Sequence, residues 1–496
     1  MIVKIQKIDN VHIQVIADPH VRMGLSEHFS RYAKNYQFSP EYKARVWNGK
    51  IYHFNYTTGV IYAGLILDVL EYLKENGIKA AVDAEVKKMF VGHADGVREY
   101  LAGLNLTTYG SPVDFHDYQI DAIEACLSQK RKTLRSPTSS GKSAIAYGVI
   151  RYLCDNVFEE HDRILVIVPT VGLVKQFKGD MVDYSQLTDF DADALVGMVD
   201  QKHKELDRKI VVGTYQSIIR QDYEWINGFR AIIVDECHQA PAKTIKDIAV
   251  ACDAEYRIGM SGSINDNEES EIMLIKGLFG FDKETTTTKD LMDRGIVADL
   301  TIKCIILDHQ KAGLKPSTYQ DEMNVIQKSS NRNGFIRKIA EGNEGNTLVI
   351  LQNVKTHAKS LLEELKKIDG KQVFLVVGKT DVEVRDEVKK ITESNDNVII
   401  LASYGVFAEG ISIRNLHNII LASPTKSYRR IVQTIGRGLR ITNTKKSCTI
   451  YDLVDLFFES GTNDEPNFTF RHFKERLMIY IKSDFRHKTI QVPFTP

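Results

Sequence analysis

The chain has 496 residues, 43% of them hydrophobic, and its 65 lysines and arginines balance 65 acidic side chains to a formal net charge of zero. That length exceeds one ordinary core and allows roughly three domains, while the composition excludes extensive disorder. The charge balance excludes a protein that coats nucleic acid through an overall positive excess, so any basic surface must be local.

The opening Met1-Ile-Val-Lys-Ile-Gln6 alternates like a strand and lacks the layout of a signal peptide. Residues 1 to about 108 predict a small α+β unit, with strands at Val11 to Ile16 and Ile51 to Phe54 and helical spacing from Leu65 to Glu75. Between them, Phe38 to Tyr52 interleaves aromatics, Trp47 among them, with Lys43, Arg45 and Lys50. Such interleaving suits nucleic acid through stacking and phosphate contact. The run Trp47-Asn-Gly-Lys-Ile-Tyr52 also reads as a hairpin turn on a small core. Cys126, Cys154, Cys237, Cys252, Cys304 and Cys448 lie far apart without zinc-type spacing, as expected of reduced core thiols. No stretch reaches the apolar length of a membrane span. The expectation is a soluble cytoplasmic protein with no membrane partner.

The middle of the chain changes character. Ile164 to Val168, Ile210 to Val212 and Ala231 to Val234 are short apolar runs rich in β-branched residues, separated by helical segments such as Tyr118 to Leu127 and Ser143 to Cys154. Strands apolar on both faces and alternating with helices predict a parallel sheet covered on both sides. The pattern restarts at Thr347 to Leu351, Val373 to Val377, Val398 to Ala402 and Asn418 to Leu421, giving two α/β units in tandem. The polar, Thr-rich stretch from Asp282 to Asp299 is the expected junction, and Phe470 to Phe485 predicts a basic helix.

Ser136-Pro137-Thr138-Ser139-Ser140-Gly141-Lys142-Ser143 has the ending of a loop that binds phosphate where it is set between a strand and a helix. A loop with this ending aims backbone N–H groups and a helix N-terminus at phosphate, with Lys142 neutralising the β and γ phosphates and Ser143 ligating Mg²⁺. Ser136 occupies a position where this motif has Gly. About ninety residues later, Ala231-Ile-Ile-Val-Asp235-Glu236-Cys237-His238 delivers two carboxylates at the end of an apolar strand. Asp235 suits Mg²⁺ and Glu236 suits proton acceptance from the attacking water. Some two hundred residues further on, Gln433-Thr-Ile-Gly-Arg437-Gly-Leu-Arg440 carries two arginines three apart, on one face if helical. Guanidiniums there stabilise charge developing on the γ-phosphoryl group.

The order of these motifs resembles superfamily 2 helicases, and most of all the UvsW-type helicases of tailed phages. The latter likeness is carried by the Asp-Glu-Cys-His box, Gly259-Met-Ser-Gly-Ser263, Tyr404-Gly-Val-Phe407, the Gln-Thr-Ile-Gly-Arg series, Trp47-Asn-Gly-Lys50 and Arg476-Leu-Met-Ile-Tyr480. It implies an α/β protein with two tandem RecA-like motor domains and a small N-terminal α+β domain. The expected divisions are 1–108 for substrate binding, 109–297 and 298–460 for the motors, and 461–496 for a helical tail. It also implies ATP and Mg²⁺ as cofactors, with Gln119 reading adenine and Gly410 in the nucleotide site. Pro169, Thr170, Thr214, Gln216 and Gln352 would contact nucleic acid, and His238, Ser261 and Ser263 would couple hydrolysis to movement. No role attaches to Ser412. The expected activities are branch migration, fork regression, strand annealing and unwinding of RNA–DNA hybrids. The expected partners are DNA, RNA–DNA hybrids and recombination or replication proteins, with the chain a monomer. An RNA helicase, the motor subunit of a restriction or remodelling complex, and an ATP-gated clamp that binds without unwinding are the alternatives.

Overall fold

A computed structural model describes residues 2–495 apart from 241, 315, 410–412, 443–444 and 459–465, and leaves aside the side chains of 382 and 407–409. The chain forms two compact units, Met1–Ser136 with Gly141–Thr286, and Pro137–Ser140 with Thr287–Pro496. The division at Thr286 falls inside the polar stretch expected to be a junction. That stretch is itself structured, with a strand at Asp282–Glu284 and a helix at Thr288–Asp293 capped reciprocally by Thr287 and Asp290.

In the first unit, apolar runs without alternation become strands buried on both faces. Seven parallel strands lie in the order Val196–Val199, Ile210–Thr214, Ile164–Val168, Ala231–Asp235, Tyr256–Ser261, Arg131–Arg135, Asp282–Glu284. Every pair is parallel, with Val168 beside Thr214, Asp235 beside Met260 and Ser261 beside Arg135. All the C-terminal ends therefore share one edge, the edge at which open α/β sheets bind ligands. Helices Asp117–Gln129, Lys142–Asn156 and Val171–Tyr184 contribute buried side chains to the core on one face of this sheet.

The N-terminal residues make a smaller sheet in the order Val60–Tyr62, His12–Ile16, Ile2–Lys7, Lys79–Val82, with the last strand parallel to its neighbour. Val3, Ile5, Ile13, Val15, Leu25, Phe29 and Val69 fill its core. The hairpin expected at Trp47–Tyr52 does not form. Lys50–Tyr52 instead pairs with the distant Ser30–Tyr32, because Pro40 starts a short helix at Pro40–Lys43 and Asn48 Oδ1 turns the chain by accepting from Lys50 N at 3.0 Å.

This small module seats on the helix Glu269–Phe279 of the same unit. A Cβ on Gly64 would lie 2.0 Å from the Lys276 carbonyl and one on Gly277 would lie 2.8 Å from Tyr62 Cβ, so both glycines are required by close approach. Arg31 pairs with Glu269 at 3.0 Å, Lys34 with Glu268 and Lys276 with Asp68 around that contact.

The second unit repeats the design, with seven parallel strands in the order Gln372–Val376, Val398–Ser403, Thr347–Leu351, Asn418–Leu421, Ser447–Leu456, Asp299–Asp308, His487–Pro493. The segment expected to be a helical tail is a helix, Phe468–Lys482, followed by the edge strand His487–Pro493. The basic reading of that helix also needs correction at Arg476, which is 1% exposed. Its guanidinium grips Asp452 at 2.8 and 2.9 Å and donates to the Thr425 carbonyl at 2.9 Å, while the Tyr480 hydroxyl donates to the same carboxylate at 2.9 Å.

Removing one partner of a buried ion pair strands the other in a medium that cannot solvate it. Arg476→Met is expected to destabilise the protein by about 3–5 kcal/mol, read as a lowered urea midpoint for the transition that unfolds the second unit.

Candidate ATP and nucleic-acid site

The phosphate loop links the strand Arg131–Arg135 to the helix Lys142–Asn156. Its tight path rests on left-handed residues, Ser139 at φ 69° and Gly141 at φ 80°. At Gly141 a Cβ would also lie 2.3 Å from Gln119 Nε2, so glycine is demanded twice there. Ser136, the departure from the usual glycine, is fully buried and extends the sheet: its N–H donates to the Ser261 carbonyl at 2.9 Å, and its Oγ accepts from Thr285 at 3.1 Å. Ser140 Oγ closes the loop by donating to the Pro137 carbonyl at 2.7 Å. Lys142 Nζ lies 3.4 Å from the Ser136 carbonyl, and Ser143 occupies the first turn of a helix whose N-terminus favours negative charge. Gln119 is buried, its side-chain carbonyl accepting from His116 N at 2.9 Å as part of a helix cap.

At the end of Ala231–Asp235, Glu236 adopts φ 52° and breaks the strand. A left-handed residue other than glycine costs about 1–2 kcal/mol, and the local hydrogen bonds hold it there. Asp235 Oδ1 accepts from Glu236 N at 3.0 Å. Glu236 Oε2 accepts from Ser261 Oγ at 3.3 Å and lies 3.1 Å from His238 Nδ1. His238 is 3% exposed and is held by Ser261 Oγ at 2.7 Å and Ser263 Oγ at 3.2 Å. The carboxylate pair is thus joined directly to the loop after the next strand.

Burial raises both carboxyls and acts on them unequally. Asp235 is pushed up to about 6 by burial and the adjoining Glu236 charge, against the pull of Lys142. For Glu236 the effect of burial is outweighed by Lys142 and His238, and the carboxyl stays ionised. Among the described residues no group of three His, Cys, Asp or Glu side chains stands ready to hold a metal. One carboxylate and one hydroxyl, Asp235 and Ser143, suit Mg²⁺, which keeps waters and takes phosphate oxygens as its remaining ligands.

The residues expected to face nucleic acid are placed unequally. Thr170 follows Pro169 at the sheet edge and caps the helix Val171–Tyr184, its hydroxyl accepting from Leu173 N at 3.3 Å. Thr214 is turned inward: it is 4% exposed and its hydroxyl donates to Ser217 at 3.1 Å, so the structure does not present it to a phosphate. Gln216, two residues on, is exposed, as is Gln352 just past the strand Thr347–Leu351. In the N-terminal module, Arg45 is exposed in a left-handed turn at φ 57°. Trp47 is half-buried, its indole N–H donating to the Lys50 carbonyl at 2.9 Å. Tyr42, Lys43, Arg45 and Trp47 help to line an open hollow of about 840 Å³. Lys50 is already engaged by Glu27 at 2.7 Å.

In the second unit, the helix Tyr428–Gly438 is capped by Ser427 and carries Gln433 and Arg437 one turn apart, both partly exposed. The expected shared helical face of Arg437 and Arg440 is not made, because the helix stops at Gly438 and Arg440 lies beyond the Leu439 cap. Gly410 and Ser412 fall outside the described residues. The motif reading passed over Lys445, which is buried against the end of this helix. No local pattern marks it, since only the tertiary fold brings it there.

Comparison with known proteins agrees along the whole chain. Residues 2–83 match the family model of the DNA helicase UvsW N-terminal region, 112–266 that of the type III restriction enzyme res subunit, and 331–442 the helicase conserved C-terminal domain. The ATP-dependent DNA helicase uvsW of Enterobacteria phage T4 is 32% identical, with 99% of this chain and 100% of that relative covered. A putative ATP-dependent helicase, IRC3 of Saccharomyces cerevisiae, is 28% identical over 70% of this chain and 52% of its own length. The crystal structure of T4 UvsW superposes with a TM-score of 0.52 at 29% identity, covering 99% of this chain and 100% of that one. With two parallel-sheet motor folds, a phosphate loop, and this full-length similarity, the chain belongs to the UvsW family of ATP-dependent DNA helicases.

Proposed function

We propose that this helicase is a branched-DNA motor, which migrates junctions, regresses forks, anneals complementary strands and unwinds RNA–DNA hybrids. The observation that carries the reading is the seating of the N-terminal module. Its Arg45 and Trp47 hollow belongs to a body fixed through Gly64 and Gly277 to the helix Glu269–Phe279. That helix follows Ser261 and Ser263 closely in sequence, and those serines hold His238 and Glu236. A module that grips branched DNA is in this way attached to the segment that senses the carboxylate pair.

In this reading Lys142 and the N–H groups of residues 138–141 hold the phosphates, with Gln119 at the adenine. Ser143 and Asp235 would hold Mg²⁺, which would offset charge on the phosphates. Glu236 takes the proton of the attacking water, and Gln433, Arg437 and Arg440 of the second unit serve the same step by stabilising charge on the γ-phosphoryl group. Gly410 keeps its assignment to the nucleotide site on its motif alone. Pro169, Thr170, Gln216 and Gln352 contact the nucleic-acid backbone, which gives structure selectivity without base readout. The motor works as a monomer, alongside recombination or replication proteins.

The reading is tested by ATP hydrolysis with no nucleic acid, single-stranded DNA, linear duplex, forked DNA, a four-way junction and RNA. Forked and four-way DNA are expected to stimulate most. Stimulation by RNA alone would replace the branched-DNA reading with an RNA helicase. Arg45→Ala with Trp47→Ala is expected to raise the forked-DNA concentration for half-maximal stimulation about tenfold, the loss of one stacked base and a phosphate contact. Lys142→Ala is expected to abolish steady-state turnover and weaken nucleotide binding. Arg437→Ala is expected to lower kcat by about 10³ with little change in ATP binding, because its contact strengthens in the transition state.

A further inference from the structure

The end of the arginine-bearing helix is held in an unusual way. Helices often finish with a left-handed glycine just past the cap that satisfies their last carbonyls, but here the residue past the Leu439 cap is Arg440, which is not left-handed. The carbonyls are satisfied one by one. Leu439 O accepts from Ala298 N at 2.7 Å. The carbonyls of Gly438 and Arg440 both accept from Lys445 Nζ, the second at 2.6 Å. The same ammonium donates to the carbonyl of Arg414 at 3.3 Å, two residues beyond the Gly410–Ser412 segment.

Lys445 is 1% exposed, so its three donors are spent on backbone oxygens rather than on water or a carboxylate. Burial draws its pKa down to about 8, with Cys448 and Glu393 opposing the shift and Arg440 adding to it. The partial negative charge at a helix C-terminus offsets part of the cost of keeping an ammonium there. The helix end is also pressed against the sheet. A Cβ on Gly438 would lie 2.8 Å from Ile419 Cδ1 and 2.9 Å from Cys448 Sγ. Arg440 lies outside the helix, so the helical ladder does not fix its backbone, whereas Lys445 does.

We propose that Lys445 is a positioning residue for ATP hydrolysis, its ammonium fixing the backbone that presents Arg437 and Arg440 and tying it to the segment after Gly410–Ser412. The proposal rests on the reading that these arginines serve the hydrolytic step. A displacement of about 1 Å in a group that acts in the transition state costs on the order of a hundredfold, which is why a buried backbone tie matters to rate.

The test is a mutant cycle on the full chain, with DNA-stimulated kcat and KM for ATP measured separately. Lys445→Met keeps the length and apolar stem and removes the donors. It is expected to lower kcat by about tenfold to a hundredfold with KM for ATP within about twofold. In an Arg437→Ala, Arg440→Ala background it is expected to change kcat by less than about twofold, because nothing remains to be positioned. Should Lys445→Met fail to fold, Lys445→Gln, which keeps one amide donor, is taken through the same cycle with a smaller loss expected. An undiminished kcat, a loss confined to KM, or the same loss with and without the arginines would overturn the proposal while leaving their role intact. A normal kcat in the variant lacking both arginines would overturn both.

Discussion

Two carboxylates on adjacent residues, Asp235 and Glu236, have to be kept half-buried at the end of a strand whose other residues are buried, and much of the first unit answers that demand. The chain turns at Glu236 into the left-handed region, and the turn is held by Asp235, His238 and Ser261. Burial alone would favour protonation of both groups. Lys142 and His238 oppose this at Glu236, while Asp235, raised to about 6, is the group whose charge a divalent cation would stabilise. The strand order places Ser261 beside the pair and the phosphate loop one strand beyond it, at the same edge because every strand of the sheet runs the same way.

The second unit meets a different demand, which is to hold partly exposed arginines in place. Its polar interior is built from neutralised or hydrogen-bonded groups. Asp455 accepts from Arg332 Nε at 3.0 Å and lies 3.0 Å from His309 Nε2, and Asp452 is shared by Arg476 and Tyr480. Glu322, fully buried, accepts from Phe468 N at 2.6 Å and Thr469 N at 2.7 Å, so a carboxylate caps the start of the last helix. These contacts lock the C-terminal helix to the sheet that carries the arginine helix. Such pairs add little net stability over a hydrophobic substitute, but removing one partner is costly, and the result is one defined arrangement of the strands.

What was legible in the sequence follows from how each residue is held. Ile164–Val168 and Thr347–Leu351 were visible because strands covered on both faces must be continuously apolar. Arg131–Arg135 was not, since three of its five residues are cationic. In the fold Arg131 reaches the Asn10 carbonyl and Lys132 reaches Gln129 Oε1 at 2.8 Å, contacts that no local pattern announces. His487–Pro493 was hidden for another reason: an edge strand with one neighbour and largely exposed side chains needs no apolar signature. The phosphate loop and the Asp-Glu-Cys-His box were legible because their chemistry dictates residue types at fixed spacing. The inward turn of Thr214, the engagement of Lys50 by Glu27 and the reach of Lys445 depend on partners distant in sequence or on local packing, and only the structure supplies them.

The most direct test of the carboxylate arrangement is single-turnover strand displacement on a forked duplex by Glu236→Gln, with phosphate release and nucleotide binding followed in parallel. If Glu236 is the ionised proton acceptor, the variant binds ATP and fork as the parent does, releases phosphate at least about 10² more slowly, and displaces no strand. Strand displacement at the parental rate, or phosphate release unaffected by the substitution, would contradict it.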